Sequence, residues 1–179
     1  MKTIFKILLI IFLIQNICNA QGGKPVKLLG DWFGEWKGIL EINNSNGNKN
    51  TIEMELKISE TDTAGVWLWE ISYGEGEKKE VRKYLLRKVD SEKGQYVLDE
   101  RNSILLDFYC KDYKSFYSSF KIDGNIINSE YHLTEGEINY RLISSSEKLV
   151  NITTENENDT KIMYSYPVEV IQRSTLIKK

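Results

Sequence analysis

Hydrophobic and polar residues alternate with a period of two along most of this chain. Over residues 34–43, Trp36, Gly38, Leu40 and Ile42 fall on one face, while Glu35, Lys37 and Glu41 take the other, joined by Ile39. After an Asn- and Gly-rich turn at 44–48, residues 51–59 repeat the pattern, with Ile52, Met54, Leu56 and Ile58 set against Glu53, Glu55 and Lys57. Side chains of a strand point to its two faces in turn, so each run predicts a strand with one buried side and the two together predict a hairpin. Residues 66–73 form the next strand, with Trp67, Trp69, Ile71 and Tyr73 on one face. Residues 81–89 carry charges on both faces, which leaves their inward side open. Further strands are predicted at 95–100, 103–110, 114–122, 126–133 and 137–144, separated by short Gly-, Asn-, Asp- and Ser-rich turns. Asp123-Gly124 is the clearest of these, because the tightest hairpin turns need positive φ at both central residues.

Beyond residue 144 the composition becomes polar, and a flexible surface loop is expected over about 145–161. Alternation then returns and predicts a last strand over about 163–175, with Pro167 near its start, where a proline suits a strand beginning or a sheet edge. Nine or ten strands with short links favour antiparallel neighbours. A long sheet with no helix to cover it tends to curl, and closure removes its edges. The expected fold is therefore all-β, a single antiparallel up-and-down barrel of about 8–10 strands, with a two-sheet sandwich as the alternative. The entrance to the first strand, Gly30-Asp31-Trp32-Phe33-Gly34-Glu35-Trp36, takes two Gly-x-Trp steps. A tryptophan there can plug one end of a closed barrel, and the glycines let backbones pass closely.

The N-terminus changes the picture of where the chain works. Lys2 and Lys6 precede an apolar run at 7–14 that is too short to span a bilayer, and Cys18-Asn19-Ala20 ends it at a plausible cleavage position. A signal peptide at 1–20 and a single domain at 21–179 follow, with export to the periplasm or the medium. Removing twenty of the 179 residues leaves 159, enough for one sizeable core. Lipid anchoring through Cys18 fits poorly, because Gln15, Asn16 and Ile17 lack the small residue wanted before such a cysteine. No later stretch is long and apolar enough to be a transmembrane segment. Loss of Lys2 and Lys6 takes the formal charge from −2 to −4, which argues against a nucleic-acid partner. Cys110 is then the sole cysteine, so no internal disulfide is expected; it shares a face with Ile104, Leu106 and Phe108 and reads as a small buried residue. A monomer is expected.

With the Gly-x-Trp entrance and the meander in hand, the chain resembles the calycin superfamily, which includes lipocalins and fatty-acid-binding proteins. That resemblance implies a Gly-x-Trp on the first strand, here Gly34-Glu35-Trp36, and a late Arg or Lys packed across its indole. Arg173, in Val170-Ile171-Gln172-Arg173, is the residue it points to, so Trp36 and Arg173 are the implied barrel-closing pair. Gly30-Asp31-Trp32 is a second possible alignment. More narrowly, the chain looks like small exported lipocalin-like proteins of Bacteroidetes that pair such an entrance with an Asp-Glu-x-Asn turn, here Asp99-Glu100-Arg101-Asn102. It departs from lipocalins in lacking a cysteine pair and a C-terminal helix, and from fatty-acid-binding proteins in lacking a helical lid after the first strand. Residues 34–38 are also similar to the Gly-x-Trp-x-Gly opening of nitrobindin-like haem barrels, which would make His132, the single histidine, the haem ligand. Its place near a strand end favours an ordinary strand histidine instead.

Candidate chemistry is sparse. Cys110 and His132 lie on different predicted strands, no Gly-x-Ser-x-Gly elbow is present, and the neighbours Asp99 and Glu100 would point to opposite faces of a strand. No zinc spacing, calcium loop or phosphate loop occurs. These observations point away from an enzyme, a metal or a cofactor. The aromatic content is the positive signal: Trp67, Trp69, Tyr73, Tyr84, Tyr96, Tyr109, Phe116 and Tyr131 are candidates to line the barrel and contact a ligand. Aromatic strand residues also serve simply as core and cross-strand pairs. The expected function is binding of a small hydrophobic or amphipathic molecule without catalysis. The alternative is a solid-core barrel acting as an envelope interaction or structural protein through its loops.

Overall fold

A computed structural model describes residues 30–110, 112–148, 151–154 and 162–179; the signal peptide expected at 1–20 lies outside the described residues. Nine consecutive strands come first: β1 (Gly34–Asn44), β2 (Lys49–Glu60), β3 (Val66–Tyr73), β4 (Glu80–Asp90), β5 (Gln95–Asp99), β6 (Leu105–Tyr109), β7 (Ser115–Ile122), β8 (Asn125–Thr134) and β9 (Glu137–Ser146). A hairpin of β10 (Asn151–Thr154) and β11 (Ile162–Ser165) follows, and β12 (Val168–Lys178) ends the chain. Each of β1–β9 pairs with the next, and β12 slots antiparallel between β9 and β1, closing a ten-stranded barrel. No α-helix occurs among the described residues. The up-and-down all-β barrel expected from the alternation is the observed fold.

Burial follows the sequence pattern. Trp36 and Leu40 on β1, Met54, Leu56 and Ile58 on β2, and Trp69 and Ile71 on β3 are buried, and their polar neighbours face out. On β4, whose inward side the sequence left open, Leu86 is fully buried and Tyr84 half-buried. That parity turns Arg82 inward at the strand's start and Lys83, Leu85 and Arg87 outward. The turn between β7 and β8 is the one foreseen, with φ of 47° at Asp123 and 77° at Gly124, the left-handed geometry a two-residue hairpin requires. Gly38 answers a different demand. The β12 backbone passes so close to β1 that a Cβ at Gly38 would collide with the Thr175 carbonyl.

Two boundaries differ from the sequence reading. The region expected as a polar loop, about 145–161, is largely strand where it is described. β9 runs on to Ser146, and Ile152↔Tyr164 and Thr154↔Ile162 pair across the β10–β11 hairpin. The β-branched residues Ile152, Thr153 and Thr154 carried that signal beneath a polar composition. The single last strand expected over 163–175 is two strands, β11 and β12. Pro167 has no N–H to give a ladder and sits at the break, while its carbonyl accepts from the Ser146 amide at 3.0 Å. The Asp99–Asn102 turn is built by side-chain caps. Asp99 Oδ1 accepts from the Arg101 amide at 2.8 Å, and Asn102 Oδ1 accepts from the Ile104 amide at 3.0 Å. These caps hold Arg101 and Ser103 at positive φ and shorten β6 relative to the expected 103–110.

Candidate functional site: the open end of the barrel

One end of the barrel is closed by aromatic side chains. Trp32, in a 3-10 turn at Gly30–Trp32, donates from Nε1 to the Tyr113 carbonyl at 3.0 Å, and Trp36 donates to the Trp32 carbonyl at 2.9 Å. Trp32 meets Phe116 edge-on with ring centroids 5.1 Å apart, and Trp69 meets Phe116 at 5.5 Å and Tyr131 at 5.2 Å in the same manner. All but Tyr131, itself buried, are about 1% exposed or less. This packing forms a dry floor.

The cation over Trp36 is not the one the resemblance implied. Lys178 Nζ lies 4.9 Å from the Trp36 ring centroid, whereas Arg173 is exposed on the outer wall, opposite Glu41 and Arg141. Antiparallel register decides this. Trp36 at the start of β1 pairs with Lys178 at the end of β12, and Arg173 is five residues away with the opposite parity.

The other end is open. There the inward residues Ile42, Tyr73, Tyr84, Leu106 and Leu142 are only half-buried against the core. Arg82 stands at this rim, its guanidinium carbon 5.6 Å from the Tyr73 ring centroid and its Nε donating to Glu80 Oε1 at 2.7 Å. Burial pushes the Tyr73 phenol up to about 12 and raises that of Tyr84. Burial first, and the neighbouring phenols second, push Tyr131 and Tyr140 well above the ordinary range. The Glu80 carboxylate, ahead of other causes, holds the proton on Arg82 more tightly still. At neutral pH the phenols of Tyr73 and Tyr84, and those of Tyr131 and Tyr140 buried beneath them, are therefore neutral, and the Arg82 guanidinium at the rim is ion-paired with Glu80. The Trp69 indole N–H and the Tyr96 hydroxyl are buried without a hydrogen-bond partner.

Seven of the eight aromatics named from sequence, Trp67, Trp69, Tyr73, Tyr84, Tyr96, Phe116 and Tyr131, face the interior. Tyr109 does not. It is 41% exposed on the outer wall, because on β6 the inward parity belongs to Leu106 and Phe108. Sequence reasoning missed Arg82 and Tyr140. Arg82 shares the parity of Tyr84, and Tyr140 that of Ile138, so fixing the inward face of β4 and β9 would have found both.

The remaining chemistry sits elsewhere. His132 faces outward, with Nδ1 2.8 Å from Ser115 Oγ, so it does not reach the interior where the haem resemblance would need it. Ser115 Oγ donates to Asp112 Oδ2 at 3.1 Å, and Asp112 Oδ1 accepts from two backbone amides. The carboxylate is thus on the serine, whereas a catalytic triad needs it on the histidine. Cys110 is buried, and burial pushes its thiol up to about 11, which makes it a poor nucleophile. Among the described residues no group of three or more His, Cys, Asp or Glu is placed to hold a metal ion.

A ten-stranded antiparallel meander closed on itself, with a plugged floor and an open mouth, is a calycin-like barrel. Solved structures agree on the fold. The chain is similar to a DUF3598-family protein of unknown function from Nostoc punctiforme PCC 73102, with a TM-score of 0.59 and 13% identity over 84% of this chain and 49% of that one. It is also similar to the S-type phycobiliprotein lyase CPES from Guillardia theta, with a TM-score of 0.55 and 11% identity over 83% of this chain and 89% of that one. The chain thus spans about half the length of the Nostoc protein. At such identities the likeness speaks to the fold alone. No protein-family model matches the sequence, and no curated protein is similar to it.

Proposed function

We propose that this protein is an exported barrel that holds one small hydrophobic or amphipathic molecule at its open end and does no chemistry on it. The observation that carries the reading is the contrast within one interior. The floor is sealed by fully buried rings, while the inward side chains of the mouth stay half-exposed around Arg82 and the tyrosines. An apolar body packs against Ile42, Leu106 and Leu142, and a polar head meets the phenols and the guanidinium. Barrels of this kind recur around small ligands, the S-type lyase fold among the neighbours being named for work on a phycobiliprotein. Export rests on Lys2, Lys6 and the apolar run at 7–14. A monomer completes the reading.

Native mass spectrometry of protein purified from its own host tests it, with displacement of 1-anilinonaphthalene-8-sulfonate as the second measurement. An added mass removed by organic extraction is expected, and Arg82→Gln should weaken binding of the anionic dye about tenfold, about 1.4 kcal/mol, as for loss of one charge-assisted contact. A bare mass together with no dye uptake would overturn the reading.

A second reading has one observation in its favour. The β10–β11 hairpin leaves Ile152, Ile162, Met163 and Tyr164 more than half exposed. A barrel acting through this hairpin on an envelope partner is the alternative. Ile152→Ser with Tyr164→Ser should abolish that association while leaving dye binding intact.

A further inference from the structure

The barrel wall has one seam. Every other pair of neighbouring strands shares five or more register pairs, but β6 and β7 share a single one, Tyr109↔Tyr117. No further register pair joins β6 to β7. A groove of about 650 Å³ lies over this seam, runs along the outer wall from β4 to β9 and reaches the inward Tyr96 and Phe108 at its base. It is separate from the barrel mouth. Tyr117 offers its ring at 44% exposure, with Tyr109 directly opposite. Val89, Val97 and Ile143 give the groove apolar sides, and Asp107, Asn128, Glu130 and Arg141 stand among them.

Those four polar side chains contrast with most outward charges of β1–β4, although the register partners Glu41 and Arg173 likewise form no ion pair among the described residues. Across the wall built by β1–β4, outward charges are largely paired: Lys79 and Lys179 both hold Glu55, at 2.6 and 2.7 Å, Lys57 holds Glu35 at 3.1 Å, and Lys83 holds Glu70 at 3.5 Å. In the groove, Glu130 and Arg141 are register partners, yet they form no ion pair, and neither Asp107 nor Asn128 has a side-chain hydrogen bond among the described residues. Planar carboxylate, amide and guanidinium groups thus surround an exposed aromatic ring with their bonding capacity unspent.

We propose that this groove is a binding site for a neutral oligosaccharide. A pyranose has one face of C–H groups, which packs on a tyrosine ring, and an edge of adjacent hydroxyls, which planar polar side chains hold two at a time. Three alternatives fit less well. Among the described residues lining the groove, Asp107 and Glu130 outnumber Arg141, a balance that disfavours anions. The charged and amide groups set among its apolar side chains would be left without partners by a purely apolar ligand. A peptide strand inserted in the seam would have to part β6 from β7, which the Tyr109–Tyr117 pair already ties together.

Screening the full-length protein on an array of neutral oligosaccharides tests this, followed by calorimetry with the best binder. Binding is expected, weakened at least tenfold by Tyr117→Ala, several-fold by Asn128→Ala, and little by Tyr117→Phe, which keeps the ring. Dye uptake at the mouth should be unchanged in all three variants, which separates this site from the interior one. No binder at millimolar concentration, binding untouched by Tyr117→Ala and Asn128→Ala, binding lost in Arg82→Gln, or preference for acidic sugars or peptides would each overturn the assignment.

Discussion

The floor and the mouth of this barrel are made by the same alternating strands and have opposite characters. At the floor, Trp32, Trp36, Trp69 and Phe116 fill the cross-section, and the two entrance indoles find backbone carbonyls for their N–H groups. At the mouth, residues of the same inward parity stay half-exposed, and the polar groups among them are a guanidinium and phenols rather than capped indoles. The difference teaches that inward parity alone makes a lining, and that ring size at one end decides where the lining becomes a core. Stability should concentrate at the floor and ligand recognition at the mouth.

Substitutions at the two ends sharpen or break that division. Trp36→Ala should cost about 3–5 kcal/mol, as for other buried aromatic truncations, read by chemical denaturation. An unchanged midpoint would show that the floor does not carry the stability. Gly38→Ala should cost about 1–3 kcal/mol, because the new methyl meets the β12 backbone rather than a side chain that can swing away. Glu55→Gln tests the outer wall. Lys179 first and Lys79 second hold the Glu55 carboxyl down at about 2, below its unfolded value, so its contribution is present above about pH 4.3 and fades as pH falls toward 2. Since the pair is solvent-screened, about 1 kcal/mol is expected at neutral pH, and wild type and variant should converge in acid. Lys178→Gln should cost about 0.5–1 kcal/mol for the cation over the Trp36 ring. Tyr84→Phe at the mouth should leave stability within about 0.5 kcal/mol while weakening dye binding; a melting shift as large as that of Lys178→Gln would erase the contrast between the ends.

The strands were legible because a half-buried antiparallel strand writes its two faces directly into the sequence. Val66–Tyr73 matches residue for residue, and the Asp123-Gly124 turn follows from φ preference alone. Strand pairs with short links left antiparallel order almost no freedom. The inward set followed wherever one face was plainly apolar, as on β2 and β3. It failed to emerge on β4, where charges occupy both faces, and that is why Arg82 went unseen.

Residue pairing across the closed ring was beyond the sequence. Whether Arg173 or Lys178 covers Trp36 depends on how β12 registers against β1 after ten strands have closed, a long-range constraint with no local signature. The same holds for the outward turn of Tyr109, the broken ladder beside Tyr117 and the meeting of Tyr140 with the phenols of β3 and β4. By itself, the sequence determined that the chain is an antiparallel barrel with an aromatic interior, because alternation and turn chemistry are local. Only the tertiary structure decided which end is sealed, which cation seals it and which polar groups stay unpaired, because those depend on the register at which the ring closes.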